Sequence, residues 1–558
     1  MSEAELMMAF AKILPAARAN AMREQGLWPG ELFCDRLEKA ASAHPDRPAV
    51  VGLNSMTGAE TRLTYAELNR LSRRIAAGLD ACGIGTGDVV AVQLPNWWHY
   101  AAVFTACNRI GAVVNPLMPI FRERELEFML GFAEARALIV PREFRGFDYP
   151  AMVEGLRDVL PALEHLFVVG GADPRTSFEA CLLERHWEEE TDCDALFSAR
   201  RPDPDDVVEI MYTSGTTGQP KGVMHTSNTL MCKALLSSEL FGFGAGDIVF
   251  MGSPLAHQTG FMYATCLSIF HGTTCVLQDI WDAAAASRLV AQERCTITLG
   301  STPFLSDLVN VDLDGLDVSC LRLFLCAGAP IPRILVQRAS ETHPDMYVMS
   351  AWGMTEMGIA TATYPGDPSE KVLDTDGRAM PHQAVRVVGE DGAEVKPGVE
   401  GRLQSRCATT FVGYLKRPEA YGVDEAGWLE TGDNARMDQD GYIRITGRSK
   451  DIIIRGGENI PVVEVEELLY RHPAVEDAAI VAMPDDRLGE RGCAFVSLRP
   501  DHALDFKSMI DYLLEARLTR QYLPERLELI DVFPRTPSGK IQKFKLREMA
   551  RELTPMSR

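Results

Sequence analysis

The chain has 558 residues, 46% of them hydrophobic and 24% charged, and a net charge of −22 from 78 acidic against 56 basic side chains. This is an ordinary globular composition with room for three or four structural units. The acidic balance excludes a nucleic-acid surface and a polybasic membrane patch, while leaving room for a local cluster that holds anionic substrates.

Residues 1–25 start acidic, and Lys12 and Arg18 interrupt their apolar residues, which predicts an amphipathic docking helix rather than a signal peptide. Thr64 with Glu67 reads as a capping box, followed by Leu68, Leu71, Ile75 and Leu79 at helical spacing and a stop at Gly83. "DVVAVQLP", residues 88–95, reads as a buried strand of a largely parallel sheet. Helix and strand patterns alternate to about residue 330, the signature of an α/β layered architecture. From about residue 381, short strands with Asp-Gly and Pro-Gly turns predict a small β-rich unit. After residue 450 the style changes again. Pro461 opens a short acidic helix, the runs "AAIVAMP" and "CAFVSL" flank a polar turn, and a helix follows over residues 506–518. The expected division is a large N-terminal domain, residues 1–449, and a small α+β C-terminal domain, residues 450–558. The thirteen cysteines form no C-x-x-C pair, which favours reduced thiols in a cytoplasmic protein over a zinc site. No apolar run reaches the length of a transmembrane span.

The strongest chemical signal is "YTSGTTGQPKGV", residues 212–223. Thr213, Ser214, Thr216 and Thr217 alternate with Gly215 and Gly218, and Lys221 follows Pro220. Glycines let backbone N–H groups approach an anion, while hydroxyls and an ammonium add donors. Pro220 stands where a Walker A loop needs glycine, so this is a different phosphate loop. By contrast, "GFGAG" at residues 242–246 lacks the full dinucleotide fingerprint and reads as a plain loop.

The phosphate loop resembles the signature of the acyl-adenylate-forming superfamily, which includes acyl-CoA synthetases, peptide-synthetase adenylation domains and beetle luciferases. Further stretches are similar in the same order. "SAWGMTEMG", residues 350–358, resembles the aromatic-Gly-x-Thr-Glu motif. The resemblance implies Trp352 and Gly353 beside adenine, Thr355 on the α-phosphate and Glu356 on Mg²⁺. "CAGAP", residues 326–330, resembles the turn in which Gly328 and Ala329 flank adenine and the acyl tunnel. Asp433, ending "LETGD", resembles the ribose-gripping carboxylate, and Arg448 its phosphate-side partner. "PLAHQTG" carries His257, similar to the aromatic lining of the carboxylate pocket, with Gly328, Gly353 and Met354 as further pocket residues. Relatives often carry a bulky aromatic where this chain has Ala256, and arginine where it has Lys543.

The resemblance implies an ATP-dependent, AMP-forming acid:CoA ligase. A carboxylate attacks MgATP to give acyl-AMP and pyrophosphate, and a thiol then displaces AMP. Lys540, in "TPSGKIQK", matches the family's catalytic lysine and acts with Lys221, Thr355 and Glu356 in the first step. The small domain then turns about a hinge at Lys450, and Gly456 and Gly457 line the CoA channel. CoA is the expected acceptor, because the chain ends soon after Lys540 without room for a carrier domain. Gly353 stands where acetate-specific relatives carry a second tryptophan, which predicts a deeper pocket for a medium-chain or alicyclic acid, the cyclohexanecarboxylate type. Three alternatives stay open: a stand-alone acyl-AMP ligase serving a carrier protein, a luciferase-like oxygenase, and a non-catalytic nucleotide-binding protein.

Overall fold

The computed structural model describes residues 10, 12–213, 220–328, 331–448, 453–455, 458–485, 488–516, 518, 520–536, 539–551 and 553. Two large, mostly parallel sheets form the first two-thirds of the chain. One runs, edge to edge, through Arg378–Ala379, Gly358–Ala362, Tyr347–Met354, Leu323–Cys326, Ile297–Gly300, Ile248–Met251, Thr274–Gln278, Pro48–Asn54 and Ala59–Thr64. The other runs through Lys221–Thr226, Val207–Thr213, Val113–Pro116, Val89–Val92, Ala137–Pro141 and His165–Val169. Val89–Val92 is buried at every position and pairs in parallel with strands on both sides, as its unbroken Val/Ala run demands.

The local signals act where they were read. Thr64 Oγ1 accepts from the Glu67 N–H and the Glu67 carboxylate accepts from the Thr64 N–H, opening the helix Tyr65–Ala81. Gly83 follows it in the left-handed region at φ +81°. Residues 242–246 are a loop, with Gly242 capping the helix Ser227–Phe241.

A four-stranded antiparallel sheet follows, in the order Gln383–Val388, Glu400–Cys407, Leu429–Met437 and Ile443–Arg448. The last unit is a mixed sheet built on the antiparallel pair Val475–Asp485 and Gly489–Leu498, with Arg526–Leu529 parallel to the latter, and helices Val462–Tyr470, Phe506–Glu515 and Lys543–Ala550. Its hydrophobic core, around Val465, Leu469, Ile480 and Met509, is separate from that of the large sheets. Among the described residues, no helix is long and apolar enough to cross a membrane.

Of the expected N-terminal docking helix, residues 1–9 and 11 lie outside the described residues, and the described part is not amphipathic. Ala16–Glu24 buries only Ala19 and has no apolar stripe. It is held by charge: Arg18 donates to the Thr410 and Phe411 carbonyls, and Arg23 pairs with Asp205. Alanines and an asparagine occupy the positions where an amphipathic helix needs large apolar side chains.

Candidate active site

Three of the sequence motifs begin where parallel strands end. Val207–Thr213 ends at the phosphate loop, Leu323–Cys326 just before Gly328, and Tyr347–Met354 just before Thr355. The carboxyl edge of an open parallel sheet is where such folds bind ligands. Residues 214–219, which include Ser214, Gly215, Thr216, Thr217 and Gly218, lie outside the described residues. The loop's two ends are zipped as a hairpin, with Thr213 paired to Lys221.

Lys221, Glu356 and a third residue form one contact chain. Lys221 Nζ stands 4.7 Å from the centroid of the Tyr414 ring, and Tyr414 OH donates to Glu356 Oε1 at 2.7 Å. Glu356 is buried, and its backbone carbonyl accepts from the Phe411 N–H at 2.7 Å. Tyr414 carries no motif signal. It reaches the site because residues 411–415 lie along Lys221–Thr226, and its position became visible only with the chain folded.

The Thr355 carbonyl lies 2.9 Å from His225 Nε2 and accepts from Lys233 Nζ at 3.2 Å. His225 and Lys233 are themselves 2.8 Å apart and both are buried. Burial lowers the Lys233 ammonium to about 8, against the opposing pull of Glu209 and Glu356. Burial, then the Lys233 charge, holds His225 well below the ordinary histidine range. Sequence reasoning missed both residues, since a lysine in an apolar helix reads as a surface residue.

Trp352 is only 8% exposed and packs among Met357, Val387 and Leu403, while its indole N–H donates to Asp433 Oδ2 at 2.9 Å. In this state the ring packs in the core and orients Asp433. Asp433 and Arg448 face each other in the antiparallel register of the last two strands of the four-stranded sheet. Met354 is half-buried against the same Trp352 cluster. Gly353 does not open a tunnel on its side-chain side. A Cβ there would stand well inside contact distance of the Gly358 carbonyl. Close approach of the hairpin's two strands requires the glycine, so the deeper pocket inferred from this position lacks that support.

Lys540 comes from the last unit and lies beside Gly328. Gly328 has φ +85°, and a Cβ on it would approach Lys540 Cε to 3.2 Å and Nζ to 3.6 Å. Lys540 is also close enough to His257 to depress its ionisation. Burial first, and Lys540 second, bring His257 down to about 3. His257 Nδ1 accepts from the Thr259 N–H at 3.2 Å, which leaves the proton of the neutral ring on Nε2.

The arm that carries Lys540 is a closed turn. The Thr536 N–H donates to the Lys540 carbonyl at 2.7 Å, the Lys540 N–H to Thr536 Oγ1 at 3.0 Å, and Arg535 Nη1 to the Gly539 carbonyl at 2.6 Å. Arg535 is anchored to Asp477 and Lys543 to Glu466, both within the small unit. Gly539, at φ +84°, sits where a Cβ would be 2.7 Å from Ser301 Oγ. Near the junction, Arg444 of the four-stranded sheet pairs with Glu467 of the small unit. Lys450, Gly456, Gly457 and Ala329 lie outside the described residues. Among the described residues, no group of three or more His, Cys, Asp or Glu side chains gathers as a metal site.

Comparison with known proteins agrees with this geometry. The family model "AMP-binding enzyme" matches residues 37–415, and "AMP-binding enzyme C-terminal domain" matches residues 464–540. A medium-chain fatty-acid–CoA ligase of Escherichia coli K12 is 37% identical over 542 residues, covering 96% of this chain and 94% of that protein. A 2,3-dihydroxybenzoate-AMP ligase of Bacillus subtilis is 33% identical over 545 residues, covering 96% and 97%. The crystal structure of an anthranilate CoA ligase in complex with anthranoyl-AMP superposes with a TM-score of 0.81 at 24% identity, over 94% of this chain and 98% of that one, and shares the fold. With a family model over most of its length and relatives above 30% identity across it, the chain belongs to the AMP-binding enzyme family.

Proposed function

We propose that the protein joins a carboxylic acid to CoA with ATP, through an acyl-AMP intermediate, and that the acid is medium-chain or cyclic. Family membership and the ligase relatives support the reaction class. The observation that carries the assignment is the position of Lys540, brought from the small unit to Gly328 and His257.

The first step drives one anion onto another. The acid's carboxylate attacks the α-phosphorus while pyrophosphate leaves, so the site must neutralise charge as it moves. Lys540 is a compact cation that can touch a carboxylate and a phosphate oxygen together. His257 adds a neutral Nε2–H donor for the carboxylate and no competing charge. Lys221 serves the phosphates from its place over Tyr414, Thr355 donates to the α-phosphate, and Asp433 accepts from the ribose hydroxyls. Glu356, with Oε1 engaged by Tyr414, keeps its second oxygen for Mg²⁺. A single carboxylate fits an ion that takes its other ligands from phosphates and water. When bound, Mg²⁺ screens the phosphate charge.

In the second step the small unit turns about Lys450, withdraws Lys540 and brings Gly456 and Gly457 to the CoA channel, where the thiol attacks the acyl carbon and AMP leaves. The test is Lys540→Ala. Pyrophosphate exchange should fall by roughly a hundred-fold or more, as for loss of one preorganised donor, while thioester formation from supplied acyl-AMP persists. Equal loss of both halves refutes the role. A second reading, transfer to a carrier protein, has the Bacillus AMP ligase as its support. Comparing CoA with carrier protein as acceptor separates the two.

A further inference from the structure

One buried side chain ties the carboxyl edges of the two large sheets together. Val89–Val92 lies in the six-stranded sheet, and the chain runs on from its end through Gln93, Leu94 and Pro95 to Asn96. Ile248–Met251 and Thr274–Gln278 are neighbours in the nine-stranded sheet. Asn96, 5% exposed, donates from Nδ2 to the Ser253 carbonyl at 2.9 Å and to the Gln278 carbonyl at 3.0 Å. Its Oδ1 accepts from the Leu255 N–H at 2.8 Å. The next residue adds a second tie, since the Trp97 indole N–H donates to Asp279 Oδ2 at 3.1 Å.

Two of the three Asn96 bonds hold the segment that leads into His257. Ser253 and Leu255 are buried and lie past the end of their strand, so Asn96 supplies partners that a neighbouring strand would otherwise provide. The Pro254 carbonyl between them accepts from the His257 N–H at 3.0 Å. On the other side, His257 Nδ1 accepts from the Thr259 N–H and caps the short helix Gln258–Gly260. Gly260 packs against the same turn, where a Cβ would stand 2.2 Å from the Pro254 carbonyl oxygen. The ring is thus fixed by the helix after it and by Asn96 before it. Asparagine suits the task as a short side chain with two donors and an acceptor. An apolar residue offers none of these bonds, and an aspartate would set a carboxylate against two carbonyl oxygens.

We propose that Asn96 is a positioning residue for the acid: by holding residues 253–255 it keeps the His257 ring beside Lys540 and so sets where the substrate carboxylate lies. This rests on the ligase assignment and on His257 as a donor to the carboxylate. Asn96 acts through backbone, at a distance from the reacting atoms.

The test is pyrophosphate exchange by the full-length protein, with the best-used acid among hexanoate, octanoate, cyclohexanecarboxylate and benzoate. Asn96→Asp keeps the size of the side chain and removes both donors, so it reads the bonds and not the volume. A misplacement of about 1 Å costs roughly a hundred-fold. The kcat/KM for the acid should fall by that order, while KM for ATP stays within about three-fold of wild type. Adding Asn96→Asp to His257→Ala should cost less than about three-fold further, because the ring through which Asn96 acts is already gone. Asn96→Ser, neutral and smaller, is read in the same way and should lie between wild type and Asn96→Asp. Unchanged kcat/KM for the acid in Asn96→Asp, an equal rise in KM for ATP, or losses that add in the double mutant each overturn the positioning role and leave the ligase intact. Failure of both Asn96 variants to fold does the same, since the residue would then serve the scaffold alone. Absence of exchange with every acid in the wild-type protein overturns the ligase assignment itself.

Discussion

Replacing Gly539 by alanine tests whether the docked position of the lysine arm drives the first half-reaction. Gly539 has φ +84°, and a Cβ there would stand 2.7 Å from Ser301 Oγ and 3.2 Å from Pro303 Cγ. The left-handed backbone costs an alanine about 1 kcal/mol, and the crowding against Ser301 and Pro303 adds about 1–3 kcal/mol. The sum of about 2–4 kcal/mol, felt when the arm is docked, corresponds to a roughly 30- to 900-fold loss of pyrophosphate exchange. Thioester formation from supplied acyl-AMP needs no docked arm and should change less than three-fold. Adding Ser301→Gly in the Gly539→Ala background should restore the part of the steric share due to Ser301, and neither the Pro303 part nor the backbone share. Exchange that stays within three-fold of wild type, or a parallel fall in both half-reactions, refutes the reasoning.

Gly457→Leu should block thioester formation while exchange survives, since the bulk falls in the proposed CoA channel; loss of exchange as well would mean a folding defect. Tyr414→Phe removes the hydroxyl that holds Glu356 Oε1, a hydrogen bond to a carboxylate worth about 1.5–3 kcal/mol. The expected result is a raised Mg²⁺ requirement with thioester formation from acyl-AMP preserved, and an unchanged Mg²⁺ titration would dissociate Tyr414 from the proposed metal carboxylate. His99 is buried against Trp98 and Phe178, and burial holds it down at about 3. Its folded value lies below the unfolded one, so the stability it carries is complete above about pH 6.5 and drains as pH falls toward 3. At pH 5.5 the loss from His99 is about 1.4 kcal/mol, with His225 acting in the same direction. Thermal midpoints should already fall between pH 7.5 and 5.5, and His99→Phe should flatten that slope.

The parts of the site that were legible in the sequence are those whose chemistry and geometry are local. In the fold, Thr64 and Glu67 cap a helix three residues apart; in the site, the Ser/Thr/Gly segment after Thr213 and the Thr355–Glu356 turn each begin at the end of a strand. The unread parts are made by distance. Tyr414 meets Glu356 across 58 positions, and Lys233 reaches Thr355 across 122, so no window of sequence holds either pair. Trp352 illustrates a second limit. Its motif predicts a face for adenine, and the fold adds what the motif does not show, that the ring packs in a core cluster and its N–H aims the Asp433 carboxylate. Gly353 illustrates a third. A missing side chain can mean space for a ligand or space for backbone, and here the Gly358 carbonyl fills it.

The N-terminal helix has a reach that its position at the chain's margin hides. Arg18 holds the Phe411 carbonyl, and the Phe411 N–H holds the Glu356 carbonyl. One residue thus joins the N-terminal helix to the backbone of Glu356, the proposed metal carboxylate. Trimming the first two dozen residues, a routine step when a terminus looks dispensable, would slacken the main chain at Glu356 from behind. The damage would surface as an enzyme that folds, binds nucleotide and turns over poorly, a defect easily blamed on the catalytic centre and located in its scaffolding.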